Sequence, residues 1–193
     1  MIPAAFFERD PVSCARELVG TKLIHGSCSG IVIETEAYAE HGDEACHLFT
    51  RPSARAFAET HPPGTAYVYL NYGLHWLANV LCKDRQTGSS GFVLLRALEP
   101  AGGIPLMKRR RKQSDLRALC SGPGKLAQAM GIGKGHHGKS YCESETFCFR
   151  QDGKTDIETL ADRRIGISSA KELEWRFLAK DHPGVSVPFG KAR

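Results

Sequence analysis

Ile31-Val32-Ile33-Glu34-Thr35-Glu36-Ala37-Tyr38 opens a stretch that ends, after a polar turn, on Asp43-Glu44-Ala45-Cys46-His47. Its first half carries β-branched residues at Ile31, Val32, Ile33 and Thr35, the composition of a strand. Side chains alternate across a strand. Glu34, Glu36 and Tyr38 are therefore expected on one face, with Ile31, Ile33 and Thr35 on the other. The two carboxylates then lie with their Cα atoms roughly 6.5–7 Å apart. On a face that is even partly dry, repulsion and desolvation make one of the pair a better proton acceptor near neutral pH. An aromatic, Tyr38, and an imidazole, His47, follow within the same stretch. A solvated strand face fits the pattern equally well, and these residues alone do not choose.

The rest of the chain narrows the choice. At 193 residues it has the length of one well-cored domain. Hydrophobic residues make up 41% and charged residues 24%, and no apolar run approaches the ~20 residues of a membrane span. A net charge of +5 and a pI near 8.9 permit an anionic partner without demanding one. The seven cysteines, at 14, 28, 46, 82, 120, 142 and 148, form no CxxC pair, which argues for reduced thiols and an intracellular site of action. Cys46-His47, Cys142 with Cys148, and His136-His137 lack a recognised metal-ligand spacing, so neither metal nor cofactor is expected. Residues 1–10 show no basic segment or long apolar run of a secretory signal.

Asp10 and Pro11 suit the start of a helix whose apolar residues Val12, Ala15, Leu18 and Val19 recur at helical spacing before Gly20. Thr21 to His25 reads as a strand. Beyond His47 the chain reads as an irregular loop as far as Gly64, with Arg51 and Arg55 either on phosphates or in solvent. From Thr65 the pattern alternates, with Tyr67 and Tyr69 facing one way and Ala66, Val68 and Leu70 the other. Asn71-Tyr72-Gly73 is turn chemistry, and the chain returns through Leu74 to Val80 as a β-hairpin tipped by a tyrosine. A turn centred there gives Tyr69 and Asn79 the same parity. An exposed ring at such a tip is either a wedge for a nucleic-acid stack or a surface tyrosine folded onto its own sheet. Phe92 to Pro100 is a buried strand in which Arg96 requires an anionic partner, and a structural salt bridge to Glu34 or Glu99 is one reading of it. Met107 to Leu119 reads as a helix with five consecutive basic residues, Lys108 to Lys112, either a solvated face or a backbone contact. Ser121-Gly122-Pro123-Gly124-Lys125-Leu126 is not a P-loop, because Leu replaces the Ser or Thr after Lys. It turns instead into a helix, Lys125 to Met130, stopped by Gly131. No chemistry is read in residues 131–155, which hold a short strand near Thr146–Phe149.

Three strings together resemble the alkyladenine (3-methylpurine) DNA glycosylase family: Glu34-Thr35-Glu36-Ala37-Tyr38 with His47, Tyr69-x-x-Tyr72-Gly73 with Asn79, and Val93-Leu94-Leu95-Arg96-Ala97-Leu98-Glu99-Pro100. The Ser121–Leu126 turn and the Arg164–Val187 ending are similar too, so the likeness spans residues 5–188. It departs at Ala56, where the family usually has Asn. The resemblance implies one α+β domain over residues 1–193: a curved, mainly antiparallel sheet with a protruding hairpin, flanked by helices. It implies that Glu36 activates a water and that Arg96 lies near Glu36 or the phosphate of the flipped nucleotide. Tyr38, His47 and Tyr69 would enclose the extruded purine, main-chain groups at His47 would read its six-position, and Asn79 would crowd the amine of normal guanine. Tyr72 on the Gly73 turn would fill the gap in the duplex, and Lys125 would hold a phosphate at its helix N-terminus. The expected activity is a monofunctional, metal-free DNA glycosylase of base excision repair, acting as a monomer on double-stranded DNA with alkylated or deaminated purines. Two other readings remain at this point: a noncatalytic damaged-DNA-binding module, and a nucleosidase acting on free purine nucleosides.

Overall fold

The computed structural model describes residues 1–153 and 156–192. Its elements begin with α1 (Pro11–Leu18), β1 (Lys22–His25), β2 (Cys28–Ala39), α2 (His47–Thr50) and α3 (Pro52–Thr60). The middle holds β3 (Ala66–Asn71), β4 (His75–Lys83), β5 (Ser90–Gly102), α4 (Ile104–Arg111), α5 (Leu116–Leu119) and α6 (Pro123–Met130). Three short strands follow, β6 (Phe147–Arg150), β7 (Thr159–Asp162) and β8 (Arg176–Ala179). Every strand pairing is antiparallel, in the order β3-β4-β5-β2-β1-β6. The long strand β2 is the spine of this curled sheet. Along one edge it pairs with β5, and it shares the other between β1, against Cys28–Ile31, and β8, against Glu34–Glu36. β7 adds to the outside of β8. The architecture is the expected α+β domain on a mainly antiparallel sheet. No helix of the described residues is long and apolar enough to cross a membrane.

One face of the sheet carries the main core. Cys14, Ala15 and Leu18 of α1 and Leu126, Ala127, Ala129 and Met130 of α6 pack there against Val32, Ala37, Val80, Val93, Leu95 and Leu98. Helix α1 starts as its sequence requires: Asp10 Oδ1 accepts from the Ser13 N–H at 2.8 Å, and Pro11 occupies the first turn. The opposite face is divided. Cys46, Leu48, Ala54, Phe57 and Ala58 of the α2–α3 region meet Tyr67, Leu81 and Phe92 at one end. At the other end Ile31, Ile33, Ala97 and Ala179 form a small apolar group, and the polar site lies between the two.

The structure corrects simple alternation in β2. Register runs Val32–Leu98, Glu34–Ala97, Thr35–Leu95, so Ile33 on β2 and Arg96 on β5 both drop out of the ladder. This paired bulge shifts the parity of both strands. Ile31 and Ile33 therefore share the face of Glu34 and Glu36, while Thr35 turns to the core and donates to Ala15 O at 2.8 Å. Two helix boundaries differ as well. The expected loop after His47 is helical: Pro52 sits at the N-terminus of α3, and Ala54, Phe57 and Ala58 bury one stripe at i, i+3 and i+4. The expected helix Met107–Leu119 is two helices. The first begins earlier, at Ile104 with Pro105 in its first turn, and Lys112 ends it in a left-handed conformation at φ 49°. Asp115 then caps the second by accepting from the Arg117 N–H.

Candidate active site

A cavity of about 520 Å3 opens on the divided face. Its aromatic wall comes from alternation in β3 and the facing position of β5. Tyr67 and Phe92 stack with centroids 4.4 Å apart, Tyr69 lies 5.6 Å from Tyr67, and the His47 ring meets Tyr69 edge-on at 4.6 Å. Tyr67 pairs with Asn79 and Tyr69 with Leu77 across the hairpin, and all four line the cavity. Asn79 is buried and its Nδ2 donates to Tyr67 O at 3.0 Å. Leu94 and Arg96 from β5 and Tyr38 from β2 complete the lining beside Glu36, while Pro123, Arg51 and residues 165–168 surround the mouth.

Behind Tyr38 and Arg96 lies a buried ion cluster. Glu34 and Glu36 are both fully buried, so the face is dry and the solvated reading fails. Arg96 stands between them, with Nε donating to Glu34 Oε1 at 3.0 Å and Nη1 at 3.1 Å from Glu36 Oε1. Arg176 binds Glu34 from the other side at 2.8 Å and reaches Asp162 at 3.1 Å. Both oxygens of Glu36 are occupied. Oε1 accepts from the Ile165 N–H at 2.7 Å, and Oε2 accepts from the Tyr38 hydroxyl at 2.7 Å. Burial, then the Glu36 carboxylate, push the Tyr38 phenol well above its ordinary pKa, so it stays a donor. Burial alone would lower Arg96, but the adjoining Glu36 and Glu34 carry the guanidinium above its ordinary value. His47 moves the other way, down to about 4, through burial and the nearby Arg51 guanidinium. Its ring is neutral at pH 7, with Nδ1 3.2 Å from the Tyr67 hydroxyl.

The hairpin tip is a tight turn with Tyr72 at φ 48° and Gly73 at φ 69°, closed by the Leu74 N–H to Asn71 O at 3.0 Å. Two successive positive φ angles make a type I′ turn, which suits Gly73 and strains a bulky tyrosine. Tyr72 is nonetheless 87% exposed, beside Leu74 at 75%, and lies on the rim of the cavity. A surface ring folded back on its sheet is not what the chain builds.

A family model for methylpurine-DNA glycosylase matches residues 5–183. The chain belongs to the methylpurine-DNA glycosylase family. Relatives agree along most of its length. A protein of Rhodopseudomonas palustris (strain HaA2) is 44% identical over 95% of this chain and 89% of its own. One from Nitrobacter winogradskyi is 42% identical over 97% and 88%, and one from Chlorobaculum tepidum 40% identical over 94% and 91%. All three are provisionally named 3-methyladenine DNA glycosylase. This methylpurine-DNA glycosylase is therefore a DNA-repair hydrolase that cleaves N-glycosyl bonds and takes DNA as its substrate, which sets aside the noncatalytic module.

In this glycosylase the fold brings Tyr38, His47, Tyr69, Tyr72, Asn79 and Arg96 to one cavity, with Glu36 directly behind its wall. Lys125 lies at the start of α6, exposed and off the cavity lining, although its neighbour Pro123 touches the mouth. The basic run of α4 is partly structural. Arg110 donates to Ala129 O at 3.0 Å, and Arg111 donates to Leu119 O at 3.1 Å and Gln128 Oε1 at 2.5 Å. Ala56 is exposed on α3, outside the cavity. Sequence reasoning missed Phe92, Arg164 and residues 165–168. Phe92 was visible as the start of an apolar strand, and its parity with Leu94 and Arg96 could have placed it. Arg164 gave no signal, because its partner Asp43 lies 121 residues earlier.

Proposed function

We propose that this glycosylase flips alkylated or deaminated purines out of double-stranded DNA and hydrolyses the glycosidic bond with water activated by Glu36, leaving an abasic site. The observation that carries this reading is the position of Glu36: a buried carboxylate held by Arg96, Tyr38 and Ile165, all of which line the cavity. Counting charge in the cluster sharpens it. Glu34, Glu36, Asp162 and Asp43 bring four carboxylates to three guanidiniums, Arg96, Arg176 and Arg164. One negative charge is left over, and Glu36 is the member beside the cavity. That charge favours a cationic occupant, such as a purine alkylated at a ring nitrogen, and the oxocarbenium-like sugar formed as the base departs. The aromatic wall adds cation–π attraction, and a neutral His47 does not oppose it. Deaminated and etheno purines enter the same wall by stacking alone.

Glu36 Oε2 accepts from the Tyr38 hydroxyl. An extruded purine pressing on the Tyr38 ring would turn that hydroxyl aside and let a water take its place on Oε2. The departing base exposes C1′ to this water, and Glu36 takes its proton. Tyr72 enters the stack and offsets part of the few kcal/mol that extrusion costs. No lysine of the described residues lines the cavity, which suits direct hydrolysis without a Schiff base. In this reading Asn79 narrows the pocket against the guanine amine, main-chain groups at His47 read the six-position, and Lys125 holds a backbone phosphate. The whole chain acts as one monomeric catalytic unit inside the cell, where its seven free cysteines stay reduced.

The test is base release from a duplex carrying one alkylated purine or hypoxanthine, measured with chelator present as free base and alkali-labile abasic sites. The wild-type chain releases base, and Glu36→Gln loses at least about a hundredfold in rate while still binding the duplex. A Glu36→Gln chain that cleaves at the wild-type rate sinks the assignment.

A further inference from the structure

The segment after β8 reaches back into the ion cluster through one serine. The Ser186 N–H donates to Glu34 Oε2 at 2.6 Å, and its hydroxyl donates to Glu34 Oε1 at 2.7 Å. The same Oγ accepts from Arg96 Nη2 at 3.1 Å. Every nitrogen of the Arg96 guanidinium is then assigned: Nε to Glu34, Nη2 to Ser186, and Nη1 to Glu36. Only the last of these partners is the proposed base. Neither Glu34 nor Ser186 lines the cavity, whereas Arg96 does.

We propose that Ser186 is a positioning residue that aims Arg96 at Glu36, so that base hydrolysis depends on a hydroxyl that never meets the substrate. The inference rests on the reading of Glu36 as the base. A guanidinium anchored at Nε alone can still swing about that anchor. A second hydrogen bond at Nη2 fixes its plane, and the plane fixes where Nη1 points. The residue at this position must donate to a carboxylate and accept from a guanidinium at once, which a hydroxyl does and a methyl group does not. Removing it leaves Nη2 buried without a partner and frees Arg96 to rotate. The segment itself has other anchors: the Ser186 N–H, Arg176 Nη2 to Val187 O, the Gly190 N–H to Asp162, and Val185 packed by Ile31 and Ile33. Ser186→Ala therefore keeps the segment docked and loses the aim.

The charged and titratable groups facing Glu36 are Tyr38 on its own strand, Tyr69 on β3, Arg96 on β5 and Arg164 beyond β7, with Glu34 sharing Arg96. Loosening Arg96 takes a charge-assisted contact away from Glu36 and leaves the DNA-facing surface intact, so the loss falls on the chemical step and not on duplex affinity. The experiment is single-turnover base release from a duplex with one alkylated purine, from pH 5 to 9, for wild type, Ser186→Ala, Ser186→Thr, Ser186→Cys and Glu36→Gln. Duplex affinity and thermal unfolding are measured alongside. Ser186→Ala should bind DNA within about threefold of wild type. It should lose about tenfold in single-turnover rate, the size expected for a hydrogen bond to a charged group. Thr should restore the wild-type profile, and Cys, a weaker donor, should fall between. A Ser186→Ala profile that superimposes on wild type overturns the proposal. If that variant does not fold, a Cys variant with the wild-type profile overturns it instead. Failure of the underlying reading looks different, because Glu36→Gln would then retain activity whatever Ser186 does.

Discussion

His47 sits edge-on to Tyr69, with the Tyr67 hydroxyl on its Nδ1 and Arg51 near enough to repel a second positive charge. With a folded-state pKa of about 4, it takes up a proton well after the unfolded chain has done so. The linkage has a definite sign. Stability from the neutral ring is complete above about pH 6.5, is lost as pH falls from there through about 4, and changes no further below. Denaturation midpoints of wild type and His47→Asn should therefore converge on acidification through that window, and the ring's NMR titration should centre near 4. A midpoint near 6.5 would mean that the ring is solvated. At this scale much of the site was legible. Two carboxylates at alternate positions, a tyrosine two further on and an arginine in an apolar strand are patterns that local periodicity carries. Ser186, Asp43 and Arg164 were not legible, because each earns its role from a partner over a hundred residues away. Ordinary serines, aspartates and arginines look the same in sequence whether they are buried or not.

The hairpin of β3 and β4 sets two demands against each other at its tip. A type I′ turn wants Asn or Gly at both central positions, and here the first is Tyr72 at φ 48°. Left-handed backbone costs a bulky residue about 1 kcal/mol or more, and an 87% exposed ring recovers none of it by packing. Tyr72→Asn should raise the melting temperature by about 2–4 °C, the shift that ~1 kcal/mol gives a chain of this size. It should also slow base release from duplex DNA while sparing release from single strands, where no gap needs filling. Calorimetry beside paired assays on the two substrates would show it; equal slowing on both would remove the wedge role. The hairpin itself was readable from alternation and a turn signal. Helices α3 and α4 were read less well. The apolar period of α3 is one short stripe behind a proline, and α4 ends at a lysine whose left-handed conformation no propensity announces.

Across the whole molecule, distant segments are locked together around the cavity by buried charge. Asp43 accepts from Arg164 at 2.6 and 2.7 Å and from the N–H groups of Ala39 and Ala45 at 3.1 Å. Arg164 in turn covers the rings of Tyr38 and Trp175 and reaches Ala37 O at 2.9 Å. This clamp joins the turn that leads into His47 to the residues that hold Glu36 through the Ile165 N–H. Asp43→Ala strands a buried guanidinium and should cost about 3–5 kcal/mol, readable as a lower urea midpoint. A loss within experimental error would show that the pair relaxes into solvent. Periodicity gave individual strands and one hairpin, whereas the mainly antiparallel sheet that joins them was implied by the family resemblance and is what the fold shows. Strand β8 was expected by resemblance alone, as the Arg176–Phe177 strand that completes the sheet, and it does so against β2; β7 was not read, since its four residues carry little pattern.

That late contribution has a consequence for how the protein is made. Glu34 leaves the ribosome 142 residues before Arg176, a delay on the order of ten seconds at ordinary translation speeds. Once β5 has been made, a nascent chain holds the hairpin and the aromatic residues proposed to meet DNA, but not yet Arg176, Ser186 or the Ile165 backbone that complete the carboxylate cluster. If Glu36 is the base proposed above, birth order separates grip from cutting: the carboxylate cluster is assembled only when synthesis is nearly done.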